Sequence, residues 1–216
     1  ALPAFALDAG ETGAQFLKIG AGASPVGMGE AHTALTNDVN AVHSNPAGLA
    51  GIQNPQVQFM HLEWFQGIRH ENFVYAQPLR DFGLGEIGTV GLQIAGLYTG
   101  IENKVSGAPG ATDGWELNQE GYWVSNGPTY AAYNLGLILA YGYPLRLIEG
   151  HPIDLGAAAK LLVETIDVYT GWGGGLDLGA IYPIAQTEWY NELKPDLPEL
   201  KLLIPKKVGL AIQNLG

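Results

Sequence analysis

The chain has 216 residues, with 10 Lys and Arg against 21 Asp and Glu, a net charge of −11, and no Cys. Charged residues make up only 14% of it, against about 25% in ordinary globular proteins, and its 31 Gly are about twice the usual share of roughly 7%. This balance argues against nucleic-acid binding, which needs Lys and Arg to neutralise phosphate. It also removes disulfide and thiolate chemistry, and no run approaches the roughly 18 apolar residues of a transmembrane helix.

From the start, Ala4-Phe5-Ala6 has the A-x-A form of a signal cleavage site. Small residues dominate up to about residue 52. Met28 to Leu35 contains helix formers behind the Gly-rich stretch Gly20 to Gly29, and Asp38 to Val42 reads as another helical turn. Asn45-Pro46-Ala47-Gly48-Leu49 reads as a turn capped by Asn, with Pro at the first helical position. Its types suit a gate on a lumenal path or, more simply, an anchored capped turn. Gly20 to Gly29 is not a phosphate loop, because it follows no clear strand of a βαβ unit and no Gly-Lys-Ser/Thr closes it.

Beyond residue 53 the period changes to two, the signature of strands. Segments 55–63 and 68–78 alternate weakly. Val90, Leu92, Ile94 and Tyr98 then oppose Thr89, Gly91, Gln93 and Ala95. Leu135, Leu137, Leu139, Tyr141 and Tyr143 oppose Asn134, Gly136, Ala140 and Gly142, with Ile138 as an exception. Leu155, Ala157, Ala159 and Leu161 oppose Asp154, Gly156, Lys160 and Glu164, with Leu162 out of pattern. Leu176, Leu178 and Ala180 oppose Asp177 and Gly179, and Val208, Leu210 and Ile212 oppose Gly209, Ala211 and Gln213.

A soluble barrel turns its apolar face inward and its polar face to water. Here the second face is too poor in charge for that exterior, and its Gly, Ala and isolated charges suit a crowded lumen. The pattern predicts a transmembrane antiparallel β-barrel in a bacterial outer membrane, with an N-terminal plug over 1–52 and strands over 53–216. Val90, Leu92, Ile94, Leu135, Leu137, Leu139, Leu155 and Leu161 should face outward, to lipid. Gln93, Asn134, Asp154, Lys160, Glu164 and Asp177 should face the lumen, the four charged ones as a polar constriction, a binding patch or mutually paired charges. Trp64, Phe65, Tyr98, Tyr169 and Trp172 near one end, and Tyr141, Tyr143 and Tyr182 near the other, read as aromatic girdles. Connections 79–85 and 144–151 should be short, while 99–128 and 184–205 are long; the latter suits protein docking. His32, His43, His61 and His70 match no metal motif, Asp38-x-Asn40 continues into no calcium loop, and Ser44 and Ser125 have no His–Asp partners at triad spacing. No enzyme chemistry, metal or cofactor is expected.

The run GAQFLKIGAGASPVGMGEAHTALTNDVNAVHSNPAGLAG resembles the opening of the PorV/PorQ family, which belongs with the FadL-like outer-membrane barrels. The resemblance rests on Gly27-Met28-Gly29, the Ala-rich Ala31 to Leu35, Asp38, and Asn45, Pro46, Ala47, Gly48 and Leu49. The closing VGLAIQNLG, Val208 to Gly216, resembles a later family strand. This likeness implies a larger barrel with the N-terminal segment as a plug, so the chain is expected to lack a C-terminal half. It also implies a role as partner or shuttle in a protein secretion or surface-assembly system. The alternatives are passive uptake of a hydrophobic small molecule and a structural role in a surface assembly.

Overall fold

The computed structural model describes residues 15–35, 37–83, 87–100, 102–103, 115–117, 119, 123–125, 129–148, 151–187, 190 and 205–215. Two short α-helices lie in the N-terminal segment, α1 (Ala23–Gly27) and α2 (Ala41–Ser44), with 3-10 turns at Gln15–Lys18 and Pro46–Gly51. Then come β1 (Gln56–Glu63), β2 (Arg69–Pro78) and β3 (Thr89–Tyr98). Four short strands follow, β4 (Glu102–Asn103), β5 (Trp115–Leu117), β6 (Trp123–Ser125) and β7 (Thr129–Tyr130). The chain closes with β8 (Ala132–Ile148), β9 (His151–Ile166), β10 (Tyr169–Tyr182) and β11 (Val208–Leu215).

The long strands form one seven-stranded sheet in the order β1-β2-β3-β8-β9-β10-β11. Every neighbouring pair is antiparallel. Each period-two segment of the sequence is one of these strands. Among the described residues the sheet is open: β1 and β11 each pair on one side. With seven alternating strands, β1 and β11 run in the same direction.

Three expectations need correction. Met28 to Leu35 is a series of turns, not a helix, and the helix lies earlier, at Ala23–Gly27. Gly29 at φ 62° and Glu30 at φ 63° are left-handed, a conformation that a right-handed helix cannot include. The connection expected at 144–151 is shorter still, since β8 runs to Ile148 and β9 starts at His151. The loop expected at 99–128 contains structure, because β4 pairs with β7 and β5 with β6, extending the β3–β8 hairpin. Of the connection at 184–205, a 3-10 turn at Ile184–Gln186, the buried Thr187 and Tyr190, and Pro205 are described; the rest lies outside the described residues.

The two faces of the sheet differ in side-chain size. Val90, Ile94, Leu135, Leu137, Leu139, Leu155 and Leu161 stand exposed on one face. The N-terminal segment lies on the other. Phe16, Leu17, Val42 and Leu49 pack there against Val74, Ala95, Ile138, Ala140, Ala158 and Leu162. Ile138 and Leu162, which broke the sequence pattern, are therefore the apolar floor beneath this segment.

Glycine fixes how closely the segment approaches. A Cβ on Gly142 would lie 2.6 Å from both the Ala50 nitrogen and the Leu49 Cβ. One on Gly156 would overlap the backbone of Pro46 and Ala47. Backbone packs on backbone here, and no side chain larger than hydrogen fits.

Candidate functional site: the interface between N-terminal segment and sheet

Asn45 anchors the segment. It is fully buried, with extended backbone at φ −161°, and its side chain accepts from the Ala47 N–H at 3.1 Å to cap the turn Pro46–Gly51. Pro46 takes the first position, where its missing N–H costs nothing. The Asn45 amide also donates to the Thr33 carbonyl at 2.9 Å and to the Leu210 carbonyl of β11 at 3.4 Å. One side chain thus joins the cap, the preceding turn and the sheet. Ala47, Gly48 and Leu49 are buried with it.

The other residues of the N-terminal motif are more exposed. Gly27, Met28 and Gly29 end α1 on the exposed side. Asp38 is half-buried, and its carboxylate accepts from the Asn40 N–H at 2.9 Å, turning the chain into α2.

Side-chain amides from the sheet hold the segment's backbone. Gln58 and Asn72 each donate to the Ala21 carbonyl at 2.8 Å. Gln93, 1% exposed, donates to the Asn72 side-chain oxygen Oδ1 at 3.0 Å. Gln56 accepts from the Val39 N–H at 2.9 Å, and Gln213 donates to the His43 carbonyl at 2.6 Å. Sequence reasoning placed Gln93 and Gln213 on this face but missed Gln56, Gln58 and Asn72. The signal was present in the weak alternation of β1 and β2, where polar residues occupy inward positions.

The charged residues assigned to this face separate into distinct groups. Lys160 and Asp177 form a buried ion pair at 2.7 Å. Lys160 also donates to the Asn214 side-chain oxygen at 2.9 Å, and Asp177 accepts from the Asn214 N–H at 2.8 Å. Asn214 sits at φ 59° beside the register shift between β10 and β11. The pair therefore satisfies groups that the shift takes out of the ladder. Asp154 binds Arg146 at 3.2 Å and lies six residues from Lys160, roughly 20 Å along the strand. Glu164 is half-buried four residues the other way, roughly 13 Å off. Asn134 is half-buried on the same face. These groups form no single constriction, and the Lys160–Asp177 contact is the mutual pairing that the sequence left as one option.

Two cavities flank the segment among the described residues. One, about 20 Å³, touches Ile52, Gln53, Arg80 and Thr89. The other, about 80 Å³, is walled by Glu30, His32, Thr33, His43, Ser44 and Gln213. Burial, and then the positive charge of Lys160, hold the His43 pKa down at about 4, so this imidazole is neutral at pH 7. Among the described residues no three His, Asp or Glu side chains form a group able to hold a metal ion.

Fold and site together define an antiparallel β-sheet with an apolar open face and an N-terminal segment seated on its opposite, glycine-lined face. Residues 8–111, just under half of the chain, match the Uncharacterised protein family (UPF0164). No curated protein and no solved structure matches the chain.

Proposed function

We propose that this chain forms part of the wall and the plug of an outer-membrane β-barrel of PorV/PorQ type, acting as a partner or shuttle component in a protein secretion or surface-assembly system. The observation that carries the reading is the exposed face. Leu135, Leu137, Leu139 and Leu161 are 36–57% exposed, while Lys160 and Asp177 lie buried on the other side. Water rewards the reverse arrangement; a bilayer rewards this one.

The dimensions agree. β8, β9 and β10 have 17, 16 and 14 residues, more than the roughly 9–11 that a tilted strand needs to cross a membrane. In the register, Tyr98 lies opposite Tyr133, close to the hairpin tips that carry Trp64, Phe65 and Tyr169. Tyr141, Tyr143 and Tyr182 lie toward the other end. From Tyr133 to Tyr143 the strand covers about 33 Å, or about 25 Å across the membrane at the usual tilt, the height of a barrel's apolar band. His61, Glu63, Arg69 and Glu71 share the outward face of β1 and β2 near Trp64, with His61–Glu71 at 2.6 Å and Arg69–Glu63 at 3.2 Å. Charges at that level suit the headgroup zone.

Open edges in hydrocarbon leave backbone N–H and C=O groups unpaired, so a membrane sheet must close. β1 and β11 run in the same direction, so they cannot pair antiparallel with each other. About eight strands also leave no room for a plug. Closure therefore takes further strands, odd in number, from outside this sheet.

The long connection over 184–205, with Trp189, Leu193, Leu197, Leu200, Leu202 and Leu203 among its acidic residues, is material for protein contacts and favours the secretion or assembly role over uptake. The test is fractionation of the producing cells followed by affinity purification from detergent-extracted outer membranes. The expected result is an integral membrane protein that retains a defined protein partner. Release by high salt or alkaline wash would end the membrane reading. Purification without any protein partner, together with saturable uptake of a fatty acid, would replace the secretion role with transport.

A further inference from the structure

We propose that Lys160 and Asn214 join covalently in the folded chain, through an isopeptide bond from Nζ to Cγ, with Asp177 moving the protons. The three residues come from three neighbouring strands, β9, β11 and β10, and meet on the inward face. Lys160 Nζ lies 2.9 Å from the Asn214 side-chain oxygen and 2.7 Å from Asp177 Oδ2. Asp177 Oδ1 accepts from the Asn214 backbone N–H at 2.8 Å. One carboxylate therefore touches both residues to be joined.

The sheet makes this meeting possible in two ways. β9 and β11 are not neighbours, and strands two apart lie roughly 10 Å from each other. Gly175 of β10 is the cross-strand partner of Lys160. The Asn214 Cα lies 3.7 Å from where its Cβ would stand, so a longer side chain there would stand between lysine and asparagine. On the far side, β11 has two residues, Gln213 and Asn214, between its pairings with Leu178 and Leu176, where β10 has Asp177 alone. This bulge, with Asn214 at φ 59°, aims the Asn214 side chain across β10 at Lys160.

The contacts set the course of the reaction. Asp177 Oδ2 takes a proton from the Lys160 ammonium, a transfer that leaves the net charge of the pair at zero. A turn of the Asn214 side chain presents Cγ, which carries the oxygen already in contact, to the Nζ lone pair at near-attack distance. Asp177 delivers its proton to Asn214 Nδ2, the Cγ–Nδ2 bond breaks, and ammonia leaves. The surplus proton on Nζ passes to Asp177. One C–N bond forms, one breaks, and nothing is oxidised or reduced. The side chains of Lys160 and Asp177 are 5% and 0% exposed, so the amine attacks from a side that water does not share. Asn214 is exposed, which gives ammonia a way out. The product replaces two buried ions by an amide and a neutral acid, and their desolvation cost disappears. The reaction uses only this sheet and does not depend on its lying in a membrane.

The experiment is intact-mass measurement of the full chain, first from inclusion bodies dissolved in urea and then after refolding into detergent at pH 7.5. The unfolded chain should have its sequence mass. The folded chain should be lighter by about 17 Da, one ammonia, and protease digestion should release a branched peptide linking Lys160 to Asn214. Succinimide formation at an asparagine loses the same mass, so the branched peptide and the variants decide between them. Lys160→Arg keeps a cation beside Asp177, and with it the fold, and should stay at its sequence mass. Asp177→Asn, of nearly equal size, should slow the loss by roughly a hundredfold or more, the contribution of a general acid–base group. A folded chain that keeps its sequence mass, a loss without the branched peptide, a loss retained in Lys160→Arg, or one as fast in Asp177→Asn would overturn the proposal.

Discussion

On β8 the outward residues Leu135, Leu137 and Leu139 stand exposed, while the inward Gly136, Ile138, Ala140 and Gly142 between them are buried. β9 repeats the arrangement, with Leu155, Ala157 and Leu161 outward and Ala158, Lys160 and Leu162 inward. In a soluble sheet, polarity separates the faces. Here side-chain size does much of that work on β8–β10, because one face must admit a second layer of backbone. The inward face then has three kinds of position: small residues where backbone approaches, the apolar floor of Val74, Ile138 and Leu162, and polar residues that bond to the segment or to each other. The outward face needs only to be apolar.

The largest expected effect tests the polar positions. Lys160→Ala leaves Asp177 buried without its cation and should cost about 3–5 kcal/mol. The double change Lys160→Met with Asp177→Leu removes both charges and should recover part of that loss, the remainder reflecting the Asn214 N–H that Asp177 accepts. Urea unfolding of the protein refolded in detergent or vesicles measures both. A Lys160→Ala protein as stable as the parent would mean that water reaches this pair.

The small positions come next. Gly156→Val drives a branched side chain into the backbone of Pro46 and Ala47 and should cost about 3 kcal/mol by overpacking. Its neighbour Ala157 points outward and is exposed, so Ala157→Val should stay within about 0.5 kcal/mol. The pair differs by one residue in sequence and by a whole face in structure. Equal effects would break the comparison. Protease sensitivity of residues 19–44 provides a second readout, since Gly156→Val should release the segment before the sheet unfolds.

The outward face is tested by Leu137→Arg. In a bilayer, an arginine near mid-height costs about 2–4 kcal/mol. On a solvated surface the same change would stay near 0.5 kcal/mol. Refolding both proteins into vesicles and comparing midpoints separates the two media directly.

Much of this arrangement was legible in the sequence, and the reasons are specific. Leu135, Leu137 and Leu139 alternate with small residues, so period two revealed β8 at once. β1 and β2 looked weak because Gln56, Gln58 and Asn72 hold the N-terminal segment, and a polar inward residue spoils an apolar alternation. The start of β10 was hidden for another reason: Gly171, Gly173, Gly174 and Gly175 have no side chains to alternate. Helix propensity misled at Met28 to Leu35, where left-handed backbone at Gly29 and Glu30 overrides the helix formers. Asp154, Lys160 and Asp177 are buried, but spacing along strands of one face does not reveal partners. Lys160 meets Asp177 only because β9 and β10 pair Lys160 with Gly175 and place Asp177 on the diagonal. The cavity beside His32 was not legible at all, since its walls come from positions 30–33, 43–44 and 213, which only the fold brings together.

The smallest expected effect concerns Asn45, and it distinguishes two roles of one side chain. Its oxygen caps the turn by accepting from Ala47 N–H at 3.1 Å, and its nitrogen ties Thr33 and Leu210 by donating to their carbonyls. Asn45→Ala removes both roles and should cost on the order of 1 kcal/mol, the usual worth of an N-cap. Asn45→Ser keeps a capping oxygen near the Ala47 N–H, but it is too short to reach the Thr33 carbonyl as well. If the cap is the main contribution, Ser should restore most of the stability lost in Ala. If the tie to Thr33 and β11 is the main contribution, Ser should be as weak as Ala, and hydrogen exchange at Leu210 and Gly209 should quicken in both variants. The second outcome would mean that this buried asparagine serves less to shape its own turn than to fasten the N-terminal segment to the edge strand β11.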